Sequence, residues 1–413
     1  MENEFQTIYP RCAFLDVHKK TVEATTRILE GERIRQQTRR WDTMTADLEA
    51  MAEWLAAQGV TEVGMESTGV YWKPIYNILE KRFTVILVNA RHLKQVPGRK
   101  TDIRDSQWGA QLLQCGLLKG SYIPPRWQRE LRDLTRHQSQ LVAEQTRIAN
   151  RIHKELEDAN IKLGSVATDI LGVSGRAMIQ ALIEGEEDAT KLANLARGKL
   201  KSKIPELERA LRGRMTEHHR FMLRQLWEEL AALDEVMTKL EKRVAEVTRP
   251  YESQIERMDA VPGVDRRIAR VVLAEVGPEA SAFPTHAHLS CWSGMSPGSD
   301  ESAGKRRSSR TPKGNRWLRT ALVQAAWAAS HSKDTYLAAQ YHRLVGRRGK
   351  KRALVAVGHS ILVIVYHLLK HGVSYSELGG HYFDRLQPER QTKYHVKRLE
   401  SLGYSVKIEK RAA

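Results

Sequence analysis

The stretch Arg11–Leu29, RCAFLDVHKKTVEATTRIL, decides the fold of the first part of the chain. An apolar run reaches Asp16, a Lys-Lys pair follows, and a second run rich in β-branched residues opens at Thr21. That pattern predicts a strand, a short turn and a second strand. Working outward, TEVGMEST and FTVILVNA are further short apolar strands, with VYWKPIYNILEKR as a helix between them. TDIRDSQWGAQLLQCGLL opens on Thr101 as an N-cap and continues as an amphipathic helix. Residues 11–125 therefore read as α/β, and the pair Pro124-Pro125 in SYIPPRW marks their boundary.

Beyond that boundary the composition changes. From about Arg126 to Arg249 the chain is rich in Leu, Glu, Arg, Gln and Ala, with Pro205 as its one interior proline. Leu134, Leu141, Ile148 and Ile152 fit a long helix. Leu226, Leu230, Leu233, Met237, Leu240, Val244 and Val247 alternate steps of four and three, a coiled-coil seam over about three heptads. Such a seam closes either on a second chain or on another helix of the same one. MDAVPGVDRRIARVVLAEVG then reads as helix, turn, helix around Pro262-Gly263-Val264, a hairpin able to aim backbone N–H groups at a phosphate. A serine-rich loop follows, SDESAGKRRSSRTPKGNRWLR (Ser299–Arg319), then a helix, the basic run RLVGRRGKKR, and an apolar helix. The expected division is an α/β domain over 1–125, a helical coiled-coil region over 126–255, a mainly α domain over 256–375, and a basic tail over 376–413 without an assigned fold.

The 413 residues carry 67 Lys and Arg against 49 Asp and Glu, a net charge of +18 with a pI near 9.8. Clustered cations of this kind point to a polyanion, with nucleic acid as the default partner. Cys12, Cys115 and Cys291 are far apart and form no CxxC, which excludes a disulfide framework and a cysteine-based zinc site and fits a reducing cytosol. MENEFQTIYPRC lacks the basic-then-apolar pattern of a signal peptide. The longest apolar run, Ala353–Leu369, is short for a span and contains His359, Ser360 and His367, so a buried helix and no membrane association are expected.

Four acids stand out. Asp16 ends an apolar strand, where charge is costly unless paired or metal-bound, and Glu66 holds a similar place before a glycine turn. Asp102 and Asp105 are three apart at a helix start and face one way. Two strand-end acids with such a pair suit two Mg²⁺ ions, which would activate an attacking oxygen and stabilise the leaving one. Taken alone, an acid at a helix start is more often a dipole-compatible cap, and one on a strand more often lies at an exposed edge. Within the serine loop, chemistry alone does not choose among Ser299, Ser302, Ser308 and Ser309.

FLDVHK, MESTGVYW, LVNARHLKQVPGRKTDIRDSQWGAQLL, VPGV…ARVVLAEVG, HLSCWSGMSP and ESAGKRRSSRTPKGNRWLRTALVQAAW together resemble the IS110/IS1111-type insertion-sequence transposases. The similarity covers about residues 11–125 and 256–370 in the family's order. It implies a RuvC-like (RNase H-type) first domain whose DEDD metal set is Asp16, Glu66, Asp102 and Asp105, binding Mg²⁺ or Mn²⁺. It also implies a transposase domain with a serine nucleophile in a Ser-x-Gly-Lys element. Here that element is SAGK, so the match is Ser302, with Ala303 where family members often carry glycine. Ser308 and Ser309 are left as phosphate contacts. The resemblance further implies donor and target DNA, a structured noncoding guide RNA, homo-oligomers (dimer or tetramer) with shared active sites, and a bacterial cytoplasmic, nucleoid-associated setting.

The expected chemistry is attack by Ser302 on a phosphodiester, with Lys305, Arg306, Arg307 and Arg310 stabilising charge on the phosphoryl oxygens. Lys313, Arg316 and Arg319 continue the basic row, and Trp317 either packs or stacks on a base. Arg347, Arg348, Lys350 and Lys351 read as phosphate-backbone contacts. Two other readings compete: a metal-dependent junction nuclease in which water attacks, and a noncatalytic nucleic-acid scaffold.

Overall fold

The computed structural model describes residues 7–67, 69–89, 105–298, 300–308, 310–386 and 388–408. The chain forms two compact units, Met1–Pro124 and Pro125–Ala413.

The first unit is built on a five-stranded sheet in the order β3-β2-β1-β4-β5, with β1 Arg11–Val17, β2 Thr21–Glu30, β3 Arg33–Asp42, β4 Glu62–Glu66 and β5 Thr84–Val88. β1, β2 and β3 run antiparallel, whereas β1, β4 and β5 run parallel. Helices α1 (Thr45–Ala57) and α2 (Trp72–Leu79) cover one face, packing Leu48, Met51, Leu55, Ile75 and Leu79 on Leu15, Val17 and Val22. Helix α3 (Asp105–Gln114) covers the other, with Trp108 and Leu112 clustered around Phe14. The helix expected from Thr101 is described only from Asp105; Thr101 and Asp102 lie outside the described residues. β3 has no counterpart among the expected strands. Its sequence RIRQQTRRWD is polar and largely exposed, as suits a sheet edge shielded by charge.

α3 lies close to the sheet because two glycines flank the Phe14 ring. A Cβ on Gly64 of β4 would fall 2.6 Å from Phe14 Cδ2, and one on Gly109 of α3 would fall 2.3 Å from Cδ1. Any other residue at either place would push helix and sheet apart, and with them the first turn of α3.

The second unit contains two long helices, α4 (Arg126–Asp158) and α7 (Glu217–Thr248), with α5 (Val173–Glu184) and α6 (Ile204–Leu211) between them in sequence. α4 and α7 run antiparallel: Asp158 meets His219, Gln145 meets Asp234, and Trp127 stacks on Tyr251. The heptad seam faces α4 of the same chain. Leu226, Leu230 and Val244 are buried, and Leu233, Met237, Leu240 and Val247 are partly buried.

One core of this unit gathers Ile148, Ile152, Leu182, Leu207 and Leu226. A second gathers Leu131 with residues of α8 (Arg266–Val276), α9 (His286–Ser293), α10 (Arg316–Ala329) and α12 (Lys350–His371). α11 (Tyr336–Arg348) leads into α12 through Gly349. α12 is long and apolar enough to cross a membrane by composition, but its Val357, Ile361, Leu362 and Val365 are fully buried in this core. The Pro262-Gly263-Val264 turn is also spoken for: a Cβ on Gly263 would lie 2.2 Å from the Ala325 carbonyl of α10, so the glycine serves packing. The three cysteines are unpaired.

Candidate active site

Asp16 sits one residue beyond the Leu15–Met65 pair of the parallel β1–β4 ladder, so Asp16 and Glu66 are neighbours. Both share the α3 face with Phe14 and Gly64, because side chains alternate along a strand. Asp105 opens α3 on that same face. Three of the four expected acids are thereby brought to one edge of the sheet, while the fourth, Asp102, is outside the described residues. Burial raises the Asp16 carboxyl above its ordinary range. His18, with Nε2 at 3.2 Å, counters that rise, and the negative charges of Asp105 and Glu23 add to it.

Glu23 is an acid the sequence reading did not single out. It pairs directly with Asp16 across the antiparallel β1–β2 ladder, so both side chains project from one face. The Ser106 hydroxyl, one residue past Asp105, donates to Glu23 Oε1 at 2.7 Å, and the Thr25 hydroxyl donates to Ser106 Oγ at 2.9 Å. Since Thr25 spends its proton on Ser106, its 2.9 Å contact with Thr38 has Thr38 as donor. The donors thus run in one direction, from Thr38 through Thr25 and Ser106 to Glu23. The signal in sequence was position alone: an acid whose partner across a tight strand pair is Asp16.

The donor set is hard oxygen throughout, crowded enough that like charges raise Asp16, and so it fits Mg²⁺ or Mn²⁺. Among the described residues, no three acid, histidine or cysteine side chains already stand close enough to enclose an ion.

In the second unit, the serine loop forms a two-stranded hairpin of β6 (Asp300–Ser302) and β7 (Lys305–Ser308). Ser302 pairs with Lys305 across a two-residue turn, Ala303 at φ 51° and Gly304 at φ 72°. Positive φ at both positions gives a type I′ turn. Ser302 is thus the last strand residue before the tip, and Arg306 and Arg307 follow Lys305 in β7. Ser299 and Ser309 lie outside the described residues. Below the hairpin, Ser308, Arg310, Thr311, Pro312, Lys313 and Arg319 line an open cleft of about 430 Å³. The Ser308 hydroxyl accepts from the Arg310 amide at 3.1 Å, and Arg319 donates to the Thr311 hydroxyl at 3.1 Å and to the Pro312 carbonyl at 3.2 Å. Trp317 is partly buried, with the Arg316 guanidinium 4.2 Å from its ring centre and that of Arg136 at 6.0 Å. Arg347, Arg348, Lys350 and Lys351 are all exposed around the α11–α12 corner.

Comparison with known proteins places this chain among transposases. A DEDD-type IS110 model described as "Transposase" matches residues 15–161, and the model "Transposase IS116/IS110/IS902 family" matches residues 255–343. The chain belongs to the IS110 family of transposases. It is similar to the "Insertion element IS110 uncharacterized 43.6 kDa protein" of Streptomyces coelicolor, with 29% identity over 121 residues. That stretch spans 29% of this chain and 29% of the relative's length.

Proposed function

We propose that this chain is the recombinase of an insertion sequence, cutting and rejoining donor and target DNA under the direction of a structured noncoding RNA. The observation that carries the reading is the meeting of Asp16, Glu66 and Asp105 at one sheet edge, in a chain of a transposase family. The mixed sheet with acids at the ends of β1 and β4 supports a RuvC-like assignment for the first unit.

Asp16, Glu66 and Asp105, with Asp102, hold the divalent cation. When bound, Mg²⁺ or Mn²⁺ supplies Lewis-acid polarisation of the phosphate and lowers the pKa of a nearby hydroxyl. Glu23, through Ser106, holds the first turn of α3 and hence Asp105. The Ser302 hydroxyl attacks phosphorus and the bond to one strand oxygen breaks, that oxygen leaving as a hydroxyl with the proton the serine gives up. The resulting phosphoserine ester keeps the bond energy, so rejoining consumes no nucleotide. Lys305, Arg306, Arg307 and Arg310 stabilise charge on the phosphoryl oxygens, while Ser308, Ser309, Lys313, Arg316 and Arg319 hold the flanking backbone. Arg347, Arg348, Lys350 and Lys351 grip backbone further away. The working particle is a homo-oligomer in the bacterial cytoplasm at the nucleoid, each active site combining the acids of one protomer with the serine of another.

The test is the Ser302→Ala variant of the full chain, prepared with RNA transcribed from the DNA flanking its gene. Incubated with a plasmid bearing that flank, the wild type forms an SDS-resistant protein–DNA adduct and the variant forms none, while both bind DNA equally. Adduct in the variant would displace Ser302. Cleavage without adduct in the wild type would select the junction nuclease instead.

A further inference from the structure

Glu275, in the last turn of α8, is the only fully buried carboxylate among the described residues. A negative charge there opposes the helix dipole, so its partners must account for it. Arg136 of α4 donates from Nε to Oε1 at 2.8 Å and from Nη2 to Oε2 at 2.9 Å, a bidentate pair. Arg132 stands 3.5 Å from Oε2 and donates to the carbonyls of Ala274 at 2.8 Å and Glu275 at 2.7 Å, covering the end of α8.

The remaining contact reaches the serine loop. Asn315 Nδ2 donates to Glu275 Oε2 at 2.8 Å, while Asn315 Oδ1 accepts from the amides of Trp317 at 3.0 Å and Leu318 at 3.1 Å. Asn315 is therefore the N-cap of α10 and the link from α10 to Glu275. Its own amide donates to the Trp292 carbonyl at 3.2 Å. Next to it, Gly314 touches Gly294 backbone to backbone, since a Cβ on Gly314 would lie 2.3 Å from Gly294 N. The Gly298 amide donates to the Arg310 carbonyl at 3.1 Å and ties the two arms of the loop together above this root.

Apolar packing of the same volume would hold α4 against α8 at least as well as a buried ion pair does. What it would not supply is direction. The planar carboxylate sets the Asn315 amide plane, and that plane sets the first turn of α10. We propose that Glu275 is a positioning residue for the serine hairpin: through Asn315 it fixes where the loop enters α10, and so where the Ser302–Lys305 turn stands. The catalytic half of this inference rests on the reading of Ser302 as the nucleophile; the positional half does not.

Asn315→Ser separates capping from clamping, because serine caps a helix as well as asparagine does but does not reach Glu275. In the free full-length protein, Asn315→Ser and Glu275→Gln should raise amide exchange over Asp300–Ser308 and Trp317–Arg319 by about tenfold or more, leaving Ile361–Leu369 of α12 unchanged. In the adduct assay, Asn315→Ser should slow phosphoserine formation by about tenfold or more at wild-type DNA affinity, as a misplaced nucleophile does. The two substitutions combined should slow it little further than either alone. Unchanged exchange over the hairpin in both variants overturns the inference. Wild-type adduct rates in both, with Ser302→Ala inactive, overturn its catalytic half. If Ser302→Ala still forms adduct, the nucleophile assignment falls and the exchange result alone decides the role of Glu275.

Discussion

The acid edge of the first unit and the serine hairpin of the second are held by opposite means. Asp16 and Glu66 sit on adjacent central strands, and Asp105 opens a helix pressed onto the same sheet by Phe14 between two glycines. Their placement is set by packing, where a single methyl matters. The hairpin has a turn whose Gly304 has nothing within 4 Å of a would-be Cβ, and it is fixed at its roots by Asn315, Gly294 and Gly314. On the proposed reading the acids, as a site for a small ion, gain from rigidity, whereas the hairpin, as a loop that receives a phosphodiester, needs an open tip and a firm base. The difference teaches that substitutions at the two places fail in different ways.

The largest expected effect lies at the acids. Asp16→Ala or Asp105→Ala should abolish strand exchange while leaving RNA and DNA binding near the wild-type level, measured by filter binding beside a plasmid recombination assay. EDTA should do the same to the unmodified protein. Full recombination in EDTA would remove the cation from the mechanism and leave the hairpin to act alone.

Gly109→Ala comes next, and it tests whether packing places the acids. The new Cβ would fall 2.3 Å from the Phe14 ring, so helix or ring must move. Overpacking of this kind costs roughly 1–3 kcal/mol, which lowers the thermal midpoint and weakens Mn²⁺ binding by calorimetry together. Gly304→Ala strains the backbone at φ 72° but meets no neighbour, so it should leave Mn²⁺ binding untouched. Equal losses of Mn²⁺ affinity from the two changes would erase the contrast.

Much of this contrast was legible in sequence and part was not. Apolar runs ending in acids marked β1 and β4, because buried central strands read as short apolar stretches. β3 was illegible because an edge strand such as RIRQQTRRWD has no buried face to impose alternation. Glu23 was missed because its neighbour in space, Asp16, is seven residues away, and only the β1–β2 register brings them together. Glu275 was hidden for a similar reason: the sequence AEVG shows an acid on a helix, and nothing local says that Arg136 and Asn315 will bury it. The seam of α7 was readable as a seam but not as to its partner, since the same heptads suit a second chain or α4.

A smaller effect concerns charge at the acid edge. Because burial and the neighbouring acids hold the Asp16 pKa above its ordinary 3.8, the folded state binds this proton more tightly than the unfolded chain does. The stability it contributes is full below that ordinary value and is lost as pH rises through the raised one. The protein in EDTA should therefore lose stability as pH rises from about 4 toward neutrality, and Asp16→Asn should flatten that slope and melt higher at pH 7. Glu23→Gln removes one of the charges acting on Asp16 and should shift the slope in the same direction, by less. Thermal melts across pH check both, and a wild-type slope in Asp16→Asn would show that other groups dominate. No such gain is expected from replacing Ser302.

The smallest effect isolates the hairpin tip. Ala303 adopts φ 51°, a conformation in which an L-residue carries a strain of roughly 1–2 kcal/mol. Glycine relieves that strain but gains freedom in the unfolded chain, an offset of roughly 0.5–1 kcal/mol. Ala303→Gly should therefore stabilise the turn by about 0.5 kcal/mol net. That is too little to move the thermal midpoint of a unit of this size, but it is enough to slow amide exchange at Lys305 and its neighbours about twofold by local opening. Faster exchange in the variant would mean that the left-handed alanine is held by contacts around the tip and not merely tolerated at its open end. The hairpin would then be positioned from both ends, and its contrast with the acid edge would narrow to one of degree.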